Sequence, residues 1–187
     1  SNKYFILITL AFAIIYTSLG LTGGSRIYYA KYVLGNEMIN STMTLFNYIP
    51  TILTIMLIPI FAKKFGKIKA LFVGFLFYGA GLILEIAGPV NLLMIYGGLV
   101  LQGIGHAALY SCLFAIVGDV VDYSEWKDGI REEGITYSVT SFGQKIGTGL
   151  GTAALGWILA AGHYDGTAAV QLSLIHISEP TRLALIS

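Results

Sequence analysis

Five apolar runs dominate this chain, and each is of a length that matters, because a hydrocarbon core of roughly 30 Å takes about 20 residues of helix to cross. They cover residues 4–34, 42–62, 70–87, 92–118 and 135–161, separated by short segments that hold most of the glycine and charge. Backbone groups inside lipid must pair within their own segment, so each run is expected as a helix. The expected fold is therefore all-α, a polytopic membrane helix bundle.

Composition agrees. Hydrophobic residues make up 56% of the chain and charged residues 11%, with a mean hydropathy of +0.76, outside the range of ordinary soluble domains. The net charge is only +1, and no basic patch is interleaved with aromatics, which argues against nucleic acid as a partner. The bilayer is the partner that composition points to. No secretory signal is visible, since the first run is too long and more follow it. No repeat of solenoid period stands out. The single cysteine, Cys112, has no second thiol or nearby histidine pair and reads as a packing residue. No metal site, cofactor or catalytic constellation is expected.

Orientation follows from lysine and arginine, which are retained on the cytoplasmic side of short loops. Lys3, Lys63, Lys64, Lys67, Lys69, Lys127 and Arg131 fall on one side, and Arg26 and Lys31 on the other. The first side is cytoplasmic. The start, AKKFGKIKA and GDVVDYSEWKDGIREEG then lie inside, while GNEMIN, GPV and HYDGT lie outside.

Residues 172–187, LSLIHISEPTRLALIS, place Glu179, Pro180 and Arg182 where an apolar helix would continue. The stretch resembles the translation of a transposase-type sequencing adapter, and a genuine polar tail is the alternative. It is set aside from functional reasoning. The chain opens on Ser1 and not on methionine, which reads as an internal piece of a longer gene.

One residue stands out in the fifth run. At about 1.5 Å per residue, Lys145 lies about 15 Å into the span that starts near Ile135, close to the bilayer midplane. Facing lipid, a cation there costs at least ~2.5 kcal/mol on insertion scales. It is expected to face water, a carboxylate or a substrate, although burial against a carbonyl or snorkelling remains open. Ser138, Ser141, Lys145, Thr148 and Thr152 step by three and four, which aligns them on one stripe. Gly143, Gly147 and Gly151 form a second stripe, turned well away, that lets another helix approach.

Weaker stripes occur elsewhere. Thr44, Asn47, Thr51 and Thr54 share a face of the second run, and Gln102 and His106 share one on the fourth. Interhelical hydrogen bonding and cavity lining are both open for these. Glu85, near the outer end of the third run, is expected to reach the interface. Gly20, Gly23 and Gly24 interrupt the first run, as hinges or as close-packing positions. The inner loop concentrates Asp119, Asp122, Glu125, Lys127, Asp128, Arg131, Glu132 and Glu133. Solvation alone accounts for such a cluster, but charges at helix ends also pair across two moving halves.

The string GDVVDYSEWKDGIREEG followed by YSVTSFGQKIGTGLGTAALGWILAAGHYDG resembles the loop between helices ten and eleven, and helix eleven, of the glycoside-pentoside-hexuronide:cation symporters. That family, which includes the melibiose permeases, lies within the major facilitator superfamily. SRIYYAKYVLG and PIFAKKFGKIKA are similar to its helix seven and its loop between helices eight and nine. The resemblance covers residues 1 to about 171 and implies part of the carboxy-terminal six-helix half, helices seven to eleven, in a multi-pass protein of the bacterial cytoplasmic membrane. It implies symport of a sugar with sodium or a proton by alternating access. Lys145 matches the helix-eleven lysine that faces the sugar and cation sites. Ser141, Thr148 and Gln102 join it as candidate substrate-binding residues. Asp119, Asp122, Glu125, Arg131 and Glu133 match the charged set at the cytoplasmic gate. The family's sugar-binding carboxylates and cation-binding aspartates lie mostly in the amino-terminal half, which the chain does not include. A non-transporting sugar sensor of the same fold is one alternative. A membrane-embedded enzyme working through the acidic loop is the other, against which stand the absence of histidine in that loop and of any HExxH spacing.

Overall fold

The computed structural model describes residues 3–129, 131–162 and Tyr164; the reading of residues 172–187 lies outside them. Among the described residues five helices follow one another: α1 (Lys3–Tyr28), which runs on into a π-helical turn (Tyr29–Val33), α2 (Ile39–Phe65), α3 (Lys67–Ala87), α4 (Leu92–Asp128) and α5 (Glu133–Ala161). α2 to α5 each contain one of the apolar runs, and α1 with its π turn covers all but the last residue of the first. Among the described residues α1 to α4 are long and apolar enough to cross a membrane. α5 has the length, at 29 residues, but its glycines, hydroxyls, Gln144 and Lys145 dilute its hydropathy.

Two boundaries differ from expectation. The fourth run was expected to end at Gly118, with the charged string as a loop. Instead α4 is 37 residues long and stays helical to Asp128. From Asp119 onward no glycine or proline interrupts it until Gly129, whose φ of 71° and N–H bond to Glu125 O at 2.9 Å close the helix. In α1 the glycine run does not break the helix; the departure from regular geometry comes later, in the π turn. A third feature is the junction of α2 and α3, where Gly66 alone separates the helices at φ 92°, ψ 149°, a region in which only glycine is at ease.

α4 is the hub. Leu113, Val117 and Val120 pack on Ile8 and Phe12 of α1. Ala107, Ala108 and Cys112 pack on Ile58 of α2 and Ala70 of α3, which gives Cys112 the packing role expected of it. Ile95 and Leu99 pack on Met43 of α2 and Ala30 of the π turn.

Without a hydrophobic force between helices in lipid, close approach of small residues carries much of the association. α3 and α4 meet in this way: a methyl on Gly81 would lie 2.5 Å from Gly98 O, and one on Gly105 would lie 2.7 Å from Gly74 O. The same device joins α1 to α5, where a methyl on Gly143 would lie 2.8 Å from Thr9 O, and Gly147 and Gly151 abut the carbonyls of Ala13 and Thr17. The second stripe of the fifth run thus packs as its spacing implied.

Candidate functional site

With Gly143 and Gly147 turned to α1, Lys145 is two residues, or about 200°, from both and faces the other way. Lys145 is exposed on the surface of the bundle, about 18 Å along α5 from Glu133, and makes no hydrogen bond or ion pair among the described residues. It borders an open concavity of about 450 Å³ with Tyr137, Ser138, Ser141 and Phe142. All five members of the polar stripe are exposed. They differ in how their polar atoms are satisfied. Ser138 donates to Gly134 O at 2.7 Å, Thr148 to Gln144 O at 2.9 Å and Thr152 to Thr148 O at 3.0 Å, each one turn back in its own helix. Ser141 and Lys145 make no such bond, so among the described residues these two have their hydrogen-bonding capacity free.

Of the four candidate substrate-binding residues, Lys145, Ser141 and Thr148 share this face. Gln102 does not. It is 1% exposed and lines a partly open cavity of about 540 Å³ walled by α1, α2, α3 and α4, with Leu159 of α5 on its rim. There Arg26 donates from Nη2 to Gln102 Oε1 at 3.2 Å, and Glu85 lines the same cavity. Glu85, expected to reach the interface, is partly exposed and turns one carboxylate oxygen, Oε1, into the bundle. The cause is Gly98, where a methyl would lie 2.8 Å from Glu85 Cγ; the bare backbone leaves room for the stem to turn inward. Arg26, which served only to mark the outer side, is the other residue that sequence reasoning passed over. The available signal was a charge inside an apolar run, which is by default a functional site.

His106 lies apart, 6% exposed, its ring 4.9 Å from that of Tyr78 and 5.9 Å from that of Tyr110. It faces a small apolar cavity with Ser18, whose hydroxyl is 3.4 Å from that of Tyr78. On α2 the two readings of the polar stripe resolve residue by residue. Asn47 donates to Leu99 O at 3.1 Å and Thr51 to Gly103 O at 3.0 Å, so both hold α2 to α4. Thr44 bonds back to Asn40 O, and Thr54 lines an apolar cavity.

At the cytoplasmic end, Arg131 gathers three of the charged-set residues. It donates from Nε and Nη2 to Glu133 Oε1 at 2.8 and 2.6 Å, and from Nη1 to Glu125 Oε2 at 2.7 Å and Asp122 Oδ1 at 3.4 Å. These bonds raise the guanidinium above its ordinary value, chiefly through Glu133 and Glu125. Asp119 is not part of the group; it pairs with Lys67 at 2.6 Å, tying α4 to the start of α3. As placed, all five residues pair within this chain.

A polytopic helical bundle with one polar face turned outward and a charged cavity within defines a multi-pass membrane protein built around polar surfaces at membrane depth. The chain belongs to the family described as MFS/sugar transport protein, whose model matches residues 1–177. It is 31% identical over 137 residues to the isoprimeverose transporter of Lactiplantibacillus pentosus, covering 72% of this chain and 26% of that protein. It is 28% identical over 164 residues to the glucuronide carrier protein homolog of Escherichia coli, covering 87% and 36%. It is 26% identical over 165 residues to the uncharacterized symporter YjmB of Bacillus subtilis, covering 84% and 36%. The chain thus spans 26% to 36% of the length of these relatives. No solved structure matches it significantly.

Proposed function

We propose that this chain is the carboxy-terminal portion of a secondary active transporter that carries a sugar together with sodium or a proton. Substrate and ion bind between two helical halves that rock alternately around a site at the bilayer midplane. The observation that carries this reading is Lys145, an exposed ammonium about 18 Å along α5, with no partner among the described residues, on the face opposite the glycine seam. A cation in that position is stable only where water, a carboxylate or a substrate meets it. Ser141, on the same face with its hydroxyl free, extends the surface offered to a sugar. In this reading the second half of the transporter supplies the carboxylates that meet Lys145 and hold the coupling ion. The family and the names of its relatives, a sugar transporter and a symporter among them, support the same class of function.

The test is uptake by the full-length transporter carrying Lys145→Ala, with membrane expression measured alongside. Sugar accumulation is expected to collapse, and Lys145→Arg to restore part of it. Undiminished accumulation in Lys145→Ala overturns the central role.

A further inference from the structure

The cavity around Arg26 is a second polar locale, well apart from the first. Leu159, on its rim, lies 14 residues beyond Lys145 in α5, about 21 Å along the helix toward the outer face. Its polar equipment is sparse and specific. Thr22 and Ser25 line it, but their hydroxyls are committed to carbonyls of their own helix, at Ser18 and Thr22. The Tyr29 hydroxyl is committed to Pro89 O. Arg26, Gln102 and Glu85 remain, with Tyr28, whose hydroxyl makes no hydrogen bond among the described residues.

Their orientations follow from hydrogen-bonding chemistry. Arginine only donates, so the group of Gln102 that receives Arg26 Nη2 at 3.2 Å is its carbonyl, and the amide Nε2 must point elsewhere. That Nε2 is buried and has no hydrogen-bond partner among the described residues, and Glu85 Oε1 is in the same condition. The Glu85 carboxylate and the Gln102 side chain lie near enough to interact. Glu85 forms no ion pair with Arg26 within 4 Å among the described residues. A buried donor and a buried acceptor left open in one cavity are costly. An occupant bearing a hydroxyl satisfies both, accepting from the amide and donating to the carboxylate.

We infer that this cavity is a binding site for an uncharged sugar ring, with Gln102 and Glu85 reading its hydroxyls and Glu85 discriminating against acidic sugars. The volume of about 540 Å³ is in the range of small-molecule sites, and the apolar walls at Val33, Leu82 and Ile86 suit the C–H faces of a ring. Charge sets the preference. A carboxylate on the ligand gains Arg26 but is brought against Glu85, whereas a neutral ring meets both without conflict. The inference rests on the reading that this protein handles sugars, and it adds a site and a selectivity that the Lys145 face does not provide.

Equilibrium binding to the full-length transporter in nanodiscs tests it, with labelled D-xylose, D-glucose, D-galactose and D-glucuronate as probes. The protein is expected to bind at least one neutral sugar in preference to D-glucuronate. Glu85→Gln, which keeps the shape and removes the charge, is expected to weaken the preferred neutral sugar tenfold or more and to reduce its preference over D-glucuronate at least tenfold, since a site built to bond a substrate hydroxyl loses much when one partner changes. Ile86→Trp, which fills the cavity and leaves the three polar residues in place, is expected to abolish this component of binding. Thermal midpoints within a few degrees of the parent establish that both variants are folded. If Glu85→Gln and Ile86→Trp leave affinities and the preference within twofold while Lys145→Ala abolishes binding, the second site is refuted and the Lys145 reading stands. If the parent binds none of the four sugars, both fall.

Discussion

Gly20 of α1 and Gly151 of α5 meet with no side chain between them: a methyl on Gly20 would lie 3.3 Å from the Cα of Gly151 and 2.8 Å from Thr148 O. Gly147 and Gly143 continue the seam, each against a carbonyl of α1. Gly147→Val therefore has to force the helices apart, and overpacking of this kind costs about 1–3 kcal/mol. Gly149→Ala is the control, because nothing lies within 4 Å of the added methyl. Thermal unfolding of the full-length protein in detergent should show a clear drop for the first and almost none for the second. Equal midpoints would contradict the seam.

What could be read in advance was local. The spacing of Gly143, Gly147 and Gly151 fixes a packing face through helical periodicity alone, and the same arithmetic sends Lys145 to the opposite side. Hydropathy located all five helices, but it did not show that α4 is the hub, because burial within the bundle and burial in lipid select the same side chains. The charged string read as a loop because charge density outweighed the absence of helix-breaking residues before Gly129. The inward turn of Glu85 Oε1 has a tertiary cause: its direction depends on Gly98, thirteen positions along and in another helix. The Arg26–Gln102 bond spans 76 residues, and no local pattern announces it. The separation of Asp119 from the Arg131 group is likewise set by Lys67, a residue on α3.

Asn47 and Thr51 are expected to act on stability and not on transport. Each donates to a carbonyl of α4, at 3.1 and 3.0 Å, and both are buried. Interhelical hydrogen bonds in membranes contribute about 0.6 kcal/mol on average and up to ~1.7 kcal/mol. Thr51→Val should lower the thermal midpoint slightly and leave the KM for sugar uptake unchanged. A large KM change with an unchanged midpoint would return Thr51 to the cavity-lining role.

Gly66→Ala tests the junction of α2 and α3. No atom lies within 4 Å of an added methyl, so crowding is not the issue. The backbone conformation is, at φ 92°, ψ 149°, and holding a residue with a side chain there costs on the order of 1–3 kcal/mol. Gly79→Ala, in the interior of α3 with equally open surroundings, should be neutral or stabilising, as the helix gains from alanine. Comparison of the two midpoints separates strain from packing; a neutral Gly66→Ala would mean that the junction relaxes freely.

The Arg131 group makes a different prediction, in which accessibility moves and stability does not. Its pairs are half exposed, so each contributes little to folding. The guanidinium, held above its ordinary value by Glu133 and Glu125, stays cationic at any pH the protein survives. The tie between the end of α4 and the start of α5 is then broken by removing Arg131 or by screening it, since raising ionic strength to about 1 M shortens the screening length to about 3 Å. With Cys112→Ala as background and Gly134→Cys as reporter, Arg131→Gln should speed thiol labelling severalfold and abolish its salt dependence, with the thermal midpoint nearly unchanged. Lys67→Gln removes only the separate pair with Asp119, and independent sites act additively, so labelling at position 134 should keep its rate and its response to salt. An equal acceleration by Lys67→Gln would show that the two groups form one network, and an unchanged rate in Arg131→Gln would remove this cluster from any gating role.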